Sequence, residues 1–229
     1  VFVMTDLDIG MNQRLCKPFV WDEARTLDRG KVMSAKQLDD GADFGRYKDV
    51  DGDGIPWRTL PGTHPSKGAF FTRGTTRNAY AQYSERGPDY IYNMERLLRK
   101  FKTAAELVPQ PIITQAAKPT ALGVIFFGST SPAMTEALDV LSAQDVHINS
   151  LRLRAFPFAQ SVSDFIAAHQ KVFVVAQNRD GQMHALLVNE LDINPAQLQR
   201  VLHYDGTPIT ARFIVSAITK FLASKKETA

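Results

Sequence analysis

The clearest feature of the chain is a change in hydrophobic patterning near residue 120. Downstream, Ala121–Phe127 is a continuous apolar run, the pattern of a strand buried on both faces. The spacing from there predicts strands at 121–127, 146–154, 172–176 and 200–204. It predicts helices at 132–143, 162–169, 183–191 and 211–222. Strands alternating with helices imply an α/β domain, a mainly parallel open sheet with helices on both faces.

Upstream the pattern is weaker. Val1–Thr5 reads as a buried strand. Because the chain opens directly on that apolar run, it reads as a piece of something longer. Residues 6–90 form a long loop-rich extension, punctuated by Gly and Pro from Gly30 to Pro88. Short helices are expected at 21–27 and at 34–40, the second capped by Ser34. Ile91, Met94, Leu97, Leu98, Phe101 and Leu107 predict an amphipathic helix over 90–107, stopped by Pro109 and Pro111. Residues 108–119 read as an extended linker. The extension also carries Trp21, Phe44, Tyr47, Trp57, Phe70, Phe71, Tyr80, Tyr83 and Tyr90. Aromatic side chains seek burial, so this segment is expected to lie against a surface that the chain itself does not supply.

Composition narrows the function classes. Hydrophobic residues at 44% and charged residues at 22% argue against disorder. A net charge of +3, from scattered basic residues, gives no nucleic-acid footprint. The group Arg96, Arg99, Lys100 and Lys102 reads as the solvated face of a helix, and Lys225-Lys226 as a fraying end. No apolar run is long enough to span a bilayer, no signal peptide is visible, and a reducing cytoplasm is the expected setting. The single cysteine, Cys16, can neither close a disulfide within the chain nor hold an iron–sulfur cluster or zinc alone.

Several short segments can carry chemistry. Gly128-Ser129-Thr130-Ser131-Pro132 joins a buried strand to a helix. Ser131 suits the cap and Pro132 the first turn, and free N–H groups there can hold an anion or a partner. Asn178-Arg179-Asp180-Gly181-Gln182 follows another buried strand, where open α/β sheets gather functional loops. It is either an interface or a turn with Gly181 in a special conformation and Asp180 capping the next helix. Asp49, Asp51 and Asp53, followed by Gly54, match the first half of a calcium loop. Leu60 stands where the bidentate Glu belongs, so the bland reading is a turn. The same loop continues to Arg58, which can grip a carboxylate, and to His64, which can donate a hydrogen bond. The five histidines are dispersed without metal-ligand spacing, and His169 reads as a helix-end cap.

Taken together, the motifs resemble the α subunit of 2-oxoacid:ferredoxin oxidoreductases, particularly the 2-oxoglutarate type. The matching stretches are Val3–Asn12, Lys17-Pro18-Phe19, Phe44-Gly-Arg-Tyr47, Asp51–Pro65, Phe71-Thr-Arg-Gly74, Gly128-Ser-Thr130, Gln177–Gln182 and Leu202–Ala211. They span nearly the whole chain.

The resemblance implies a share in oxidative decarboxylation of a 2-oxoacid to an acyl-CoA, with electrons passed to ferredoxin. It implies thiamine diphosphate, Mg2+ and a [4Fe–4S] cluster held mainly by a β subunit, with CoA and the 2-oxoacid as substrates. Residues 1–12 would end a pyrimidine-binding domain whose Tyr-Pro-Ile-Thr-Pro motif is absent here. Residues 13–107 would be the extension with its helix, 108–119 the linker, and 120–229 a transketolase C-terminal-like α/β domain. The resemblance places Asp53, with Arg58 and His64 in the same loop, near the substrate. It makes Ser129, Thr130, Asn178, Arg179, Asp180 and Gln182 interface or inter-domain residues. The family usually has Glu where this chain has Ala176. No cofactor is expected on this chain alone, which would be inactive by itself. Two other readings stand beside this one: a non-catalytic module using Asp49, Asp51 and Asp53 for a divalent cation, and a free-standing flavodoxin-like domain.

Overall fold

The computed structural model describes residues 2–11, 13, 15–74 and 76–226, without the side chains of Leu7 and Lys226. In chain order the elements are α1 (Leu7–Met11), α2 (Ala35–Asp39), α3 (Gly87–Leu107), β1 (Ile112–Thr114), β2 (Leu122–Phe127) and α4 (Ser131–Ala143). There follow β3 (Asn149–Leu153), α5 (Gln160–Ala167), β4 (Lys171–Ala176), α6 (Gln182–Leu191), β5 (Leu198–Leu202) and α7 (Ala211–Lys226). They fall into two compact units: Val1–Cys16 with Val108–Ala229, and Lys17–Leu107.

The first unit is an α/β sheet in the order β1-β3-β2-β4-β5. Strands β3, β2, β4 and β5 run parallel, and β1 joins the β3 edge antiparallel, with Ile112 opposite Arg152 and Thr114 opposite Ser150. Alternation along the central strands fills two cores. Val124 and Phe126 of β2, with Phe173 and Val175 of β4, meet Met134, Ala137 and Leu141 of α4 and Ile214 and Ile218 of α7. Ile125, Val172 and Val174 point the other way, to Val162, Phe165 and Ile166 of α5 and Leu187 of α6. Each such apolar side chain contributes about 1.5–3 kcal/mol when fully buried. The apolar runs are continuous because both faces are covered. Gly123 keeps α5 close to the sheet, since a Cβ there would lie 2.9 Å from the Phe165 ring. His169, behind α5, hydrogen-bonds to the Phe165 carbonyl (2.6 Å) and the Asn149 amide (2.9 Å), which agrees with a helix-end role.

This is the sheet read from the sequence, with corrections at its margins. The expected linker contains β1, a strand three residues long. Ser131 does not cap α4: it is the first helical residue, and Thr130 at the cap makes no side-chain cap bond. The strand expected over 1–5 does not form. Val1 lies outside the described residues, as does Asn12 of the first motif, and Phe2, Val3 and Met4 are exposed. A strand needs a ladder partner, and no strand of this unit pairs with these residues.

The second unit has little regular structure. Ser34 caps α2 in a full capping box with Gln37. No helix forms at 21–27, where the chain makes only a turn, and Trp21 and Leu27 are exposed. Helix α3 forms, but its burial is the reverse of the expectation. Ile91, Met94, Leu98 and Phe101 face outward, while Asn93 and Arg96 are buried. The basic group beginning at Arg96 is therefore only partly a solvated face. Its inner residues grip the loop that precedes the helix.

Candidate functional site

In the second unit, the segment Asp49–Gly54 is moulded onto α3. Asp49, its side chain 4% exposed, accepts from the backbone of Gly52 and Gly54 through Oδ1 (both 3.1 Å) and from Arg99 Nε through Oδ2 (3.1 Å). One turn earlier, Arg96 Nη1 donates to the Gly54 carbonyl (3.1 Å); one turn later, Thr103 Oγ1 donates to the Asp53 carbonyl (2.7 Å). Spacings of three and four put all three side chains on one face of α3. Gly54 has φ +76°, and a Cβ there would collide with the α3 backbone.

The three carboxylates do converge: ligand atoms of Asp49, Asp51 and Asp53 lie within 4.8 Å of one another. Protein cations already serve them. Lys31 Nζ lies 2.5 Å from Asp51 Oδ1 and 2.6 Å from Asp53 Oδ2, and it also donates to the Ile55 carbonyl (3.1 Å). Burial alone would lower the Lys31 pKa, but hydrogen bonds and charge from both aspartates raise it above its ordinary value. For Asp53 burial acts upward and is outweighed by Lys31 and the Ile55 amide, so its pKa falls. A divalent ion would have to displace Lys31 and strip Asp49 of Arg99, so this donor set does not fit one as it stands.

Arg58 and His64 are engaged locally. Arg58 Nη2 donates to the Arg29 carbonyl (2.6 Å), and its backbone bridges to Val32. His64 Nδ1 accepts from the amides of Ser66 (3.1 Å) and Lys67 (2.9 Å), leaving Nε2–H to donate to Asp39 (3.0 Å). Both ring nitrogens are thus satisfied within the loop. Sequence reasoning grouped Asp53, Arg58 and His64 by spacing; each holds a different turn of the same loop. It did not name Lys31 or Thr103, and it read Arg99 only as part of a solvated helix face, because their partners lie far away in sequence.

In the first unit, α4 follows β2 on one face and α6 follows β4 on the other. The sheet therefore has a topological switch between β2 and β4, where open α/β folds place their ligand crevice. A pocket of about 560 Å3 lies there. Its walls include Phe127 at the end of β2, Ser129 and Thr130 after it, Gln177 after β4, and Gly206-Thr207-Pro208 after β5. Gln177 Nε2 donates to Ser129 Oγ (3.0 Å) and to the buried Thr130 Oγ1 (3.2 Å). Ser129 Oγ in turn donates to Asp6 Oδ2 (2.7 Å). Hydrogen bonds from the Ile9 amide and Ser129 hold the Asp6 carboxyl below its ordinary pKa. The result is a continuous polar relay, Gln177–Ser129–Asp6, across the mouth of the sheet.

The two sequence-selected groups behave differently. Ser129 and Thr130 line the pocket. Asn178 Oδ1 accepts from the Gln182 amide (3.1 Å) at the start of α6, and Gly181 takes the left-handed conformation there. The capping expected of Asp180 is thus done by Asn178, whose oxygen reaches the amide four residues on. Asp180 instead pairs with the exposed Arg179 (2.7 Å). Asp6 and Gln177 were missed as site residues, although both stand in the motif stretches and Gln177 directly follows a strand.

The fold so defined is an open three-layer α/β sheet, mostly parallel and transketolase C-terminal-like, with a polar pocket at its switch point. A solved structure of similar fold is the 2-oxoglutarate:ferredoxin oxidoreductase from Magnetococcus marinus with 2-oxoglutarate, coenzyme A and succinyl-CoA bound. It matches at TM-score 0.68 and 19% identity over 80% of this chain and 31% of that one. This chain therefore spans about a third of the length of that protein. The alpha chain of a probable 2-oxoacid ferredoxin oxidoreductase from Thermoplasma acidophilum matches at TM-score 0.35 and 19% identity, over 50% of this chain and 97% of that one. No protein-family profile and no curated protein matches the sequence. Among the described residues, no helix is long and apolar enough to cross a membrane.

Proposed function

We propose that this chain is a non-autonomous part of the α subunit of a thiamine-diphosphate-dependent 2-oxoacid:ferredoxin oxidoreductase. In that assembly a 2-oxoacid, CoA and oxidised ferredoxin become an acyl-CoA, CO2 and reduced ferredoxin. The observation that carries the reading is a coincidence: the ordered motifs from Val3 to Ala211 and the independent fold match lead to the same kind of protein. The expected domain limits at residues 12, 107 and 119 belong to this reading, as does a cytoplasmic setting.

The chain's own residues supply walls and contacts. Ser129, Thr130 and Gln177 present hydroxyl and amide groups at the sheet's switch point, and the Asp49–Gly54 loop is a preformed, rigid element held by α3. Ile91, Met94, Leu98 and Phe101 form an exposed apolar stripe on α3, with Phe71 also exposed. Such surface suits burial against partner polypeptide. Neither an iron–sulfur cluster nor a divalent cation fits the residues of this chain. Cys16 is its only cysteine, whereas a [4Fe–4S] cluster takes four ligands, and the aspartate triad is spent on Lys31 and Arg99. In this reading the cluster, Mg2+ and thiamine diphosphate are held mainly by the partner β subunit.

The test is copurification of the tagged chain from its source cells. The expected product contains a cysteine-bearing subunit and reduces a viologen dye only when a 2-oxoacid and CoA are both present. Pyruvate, 2-oxoglutarate and branched-chain oxoacids would each be tried. Recovery without any thiamine-binding polypeptide, or 2-oxoacid turnover by the 229-residue chain alone, would overturn the proposal.

A further inference from the structure

A second concavity lies in the α/β unit, between α4 and the strands β3 and β1, with a volume of about 460 Å3. Strand alternation decides its chemistry. Leu151 and Leu153 enter the core under α5, which sends Ser150 and Arg152 to the opposite face. There they stand beside their cross-strand partners Thr114 and Ile112. From α4, Thr135, Leu138, Asp139 and Ser142 line the facing wall, at the spacing of one helix face.

Arg152 is the residue that needs a partner. Its Nε is shielded from solvent and makes no hydrogen bond, and no ion pair among the described residues includes it. Nδ1 of His147, in the same wall, is likewise shielded and unpartnered, while its Nε2 lies 3.0 Å from Asp145. A half-withdrawn guanidinium without an anion lowers the stability of the fold. The other walls say which anion fits. Ile112, Phe126, Leu138, Val146 and Ile148 are apolar, and the exposed Asp139 repels a second negative charge. A planar fork takes both oxygens of a carboxylate, and apolar walls take a hydrocarbon tail. A phosphate dianion would meet one cation and one like charge.

We propose that this groove binds a monocarboxylate with a short hydrocarbon tail, its carboxylate on the Arg152 guanidinium. The test is calorimetric titration of the 229-residue chain with sodium hexanoate, with inorganic phosphate and hexylamine as controls. Hexanoate saturates a single site, and neither control does. Arg152→Gln weakens binding at least tenfold yet melts no lower than wild type, because it removes a charge that has no partner in the protein. Ser142→Trp fills the groove from the α4 wall and abolishes binding with Arg152 intact. The proposal is overturned by a folded wild-type chain that does not saturate, by unchanged affinity in Arg152→Gln, or by a preference for phosphate. It is also overturned if Arg152→Gln melts well below wild type, which would make Arg152 structural.

Discussion

Gly54 and Gly52 stand two residues apart in the aspartate loop with nearly the same backbone conformation, φ +76° and +82°. They differ in what surrounds them. At Gly52 a Cβ would meet nothing within 4 Å. At Gly54 it would collide with the Lys100 nitrogen and lie 2.6 Å from the Arg96 carbonyl oxygen, both rigid helix backbone. Alanine at either position incurs left-handed strain of about 1–2 kcal/mol. Only Gly54→Ala also pushes the loop off α3. Overpacking of that kind costs about 1–3 kcal/mol. It also stretches the Arg96–Gly54 and Thr103–Asp53 bonds, each contributing about 1 kcal/mol. Gly54→Ala should therefore destabilise the Lys17–Leu107 unit by about 3–6 kcal/mol, and Gly52→Ala by about 1–2. Urea titration followed by tryptophan fluorescence reads this, because Trp21 and Trp57, the chain's two tryptophans, both lie in that unit. Equal unfolding midpoints for the two variants would refute the claim that the loop is held by close approach to α3.

The remaining predictions concern charge and capping. The raised Lys31 pKa contributes stability below the ordinary value of 10.5 that is lost as pH rises through the folded value. The depressed Asp53 pKa contributes stability above 3.8 that is lost as pH falls through its folded value. Wild type should thus weaken at both extremes and Lys31→Met much less, measured as urea midpoint against pH; parallel profiles would count against the pairing. Calcium titration of wild type should be silent and Lys31→Met should gain a signal, whereas saturable binding by wild type would show that Lys31 does not fill the site. Asn178→Ala should lower α/β stability by about 0.5–2 kcal/mol, read by thermal melting; an unchanged melt would mean that its bond to the Gln182 amide does not anchor α6.

The α/β sheet was legible because its strands are buried on both faces, and a segment such as Val172–Ala176 has few other ways to hide a continuous apolar run. β1 was not legible. Three residues between prolines carry no periodicity, and their strand identity comes from Arg152 and its neighbours across the ladder. The helix over 90–107 was readable from spacing, but its orientation was not. Amphipathicity assumes that the apolar side faces this chain's own core, whereas Asn93 and Arg96 face inward here. Of the candidate residues, Ser129 and Thr130 line the pocket because a strand-to-helix junction presents them. Asp6 joins the same pocket through one hydrogen bond spanning 123 positions, which no local pattern encodes.

By itself the amino-acid order determined the strands and helices that follow residue 120, the two-sided sheet they build, the single cysteine, and the family the motifs resemble. These follow from short-range rules, since side-chain period and residue chemistry are set by neighbours along the chain. The tertiary structure alone decided that Lys31 and Arg99 serve the aspartate triad, that α3 turns its polar side inward, and that Arg152 meets no carboxylate among the described residues. Those outcomes depend on which distant groups meet, and desolvation and charge pairing are settled only when they do.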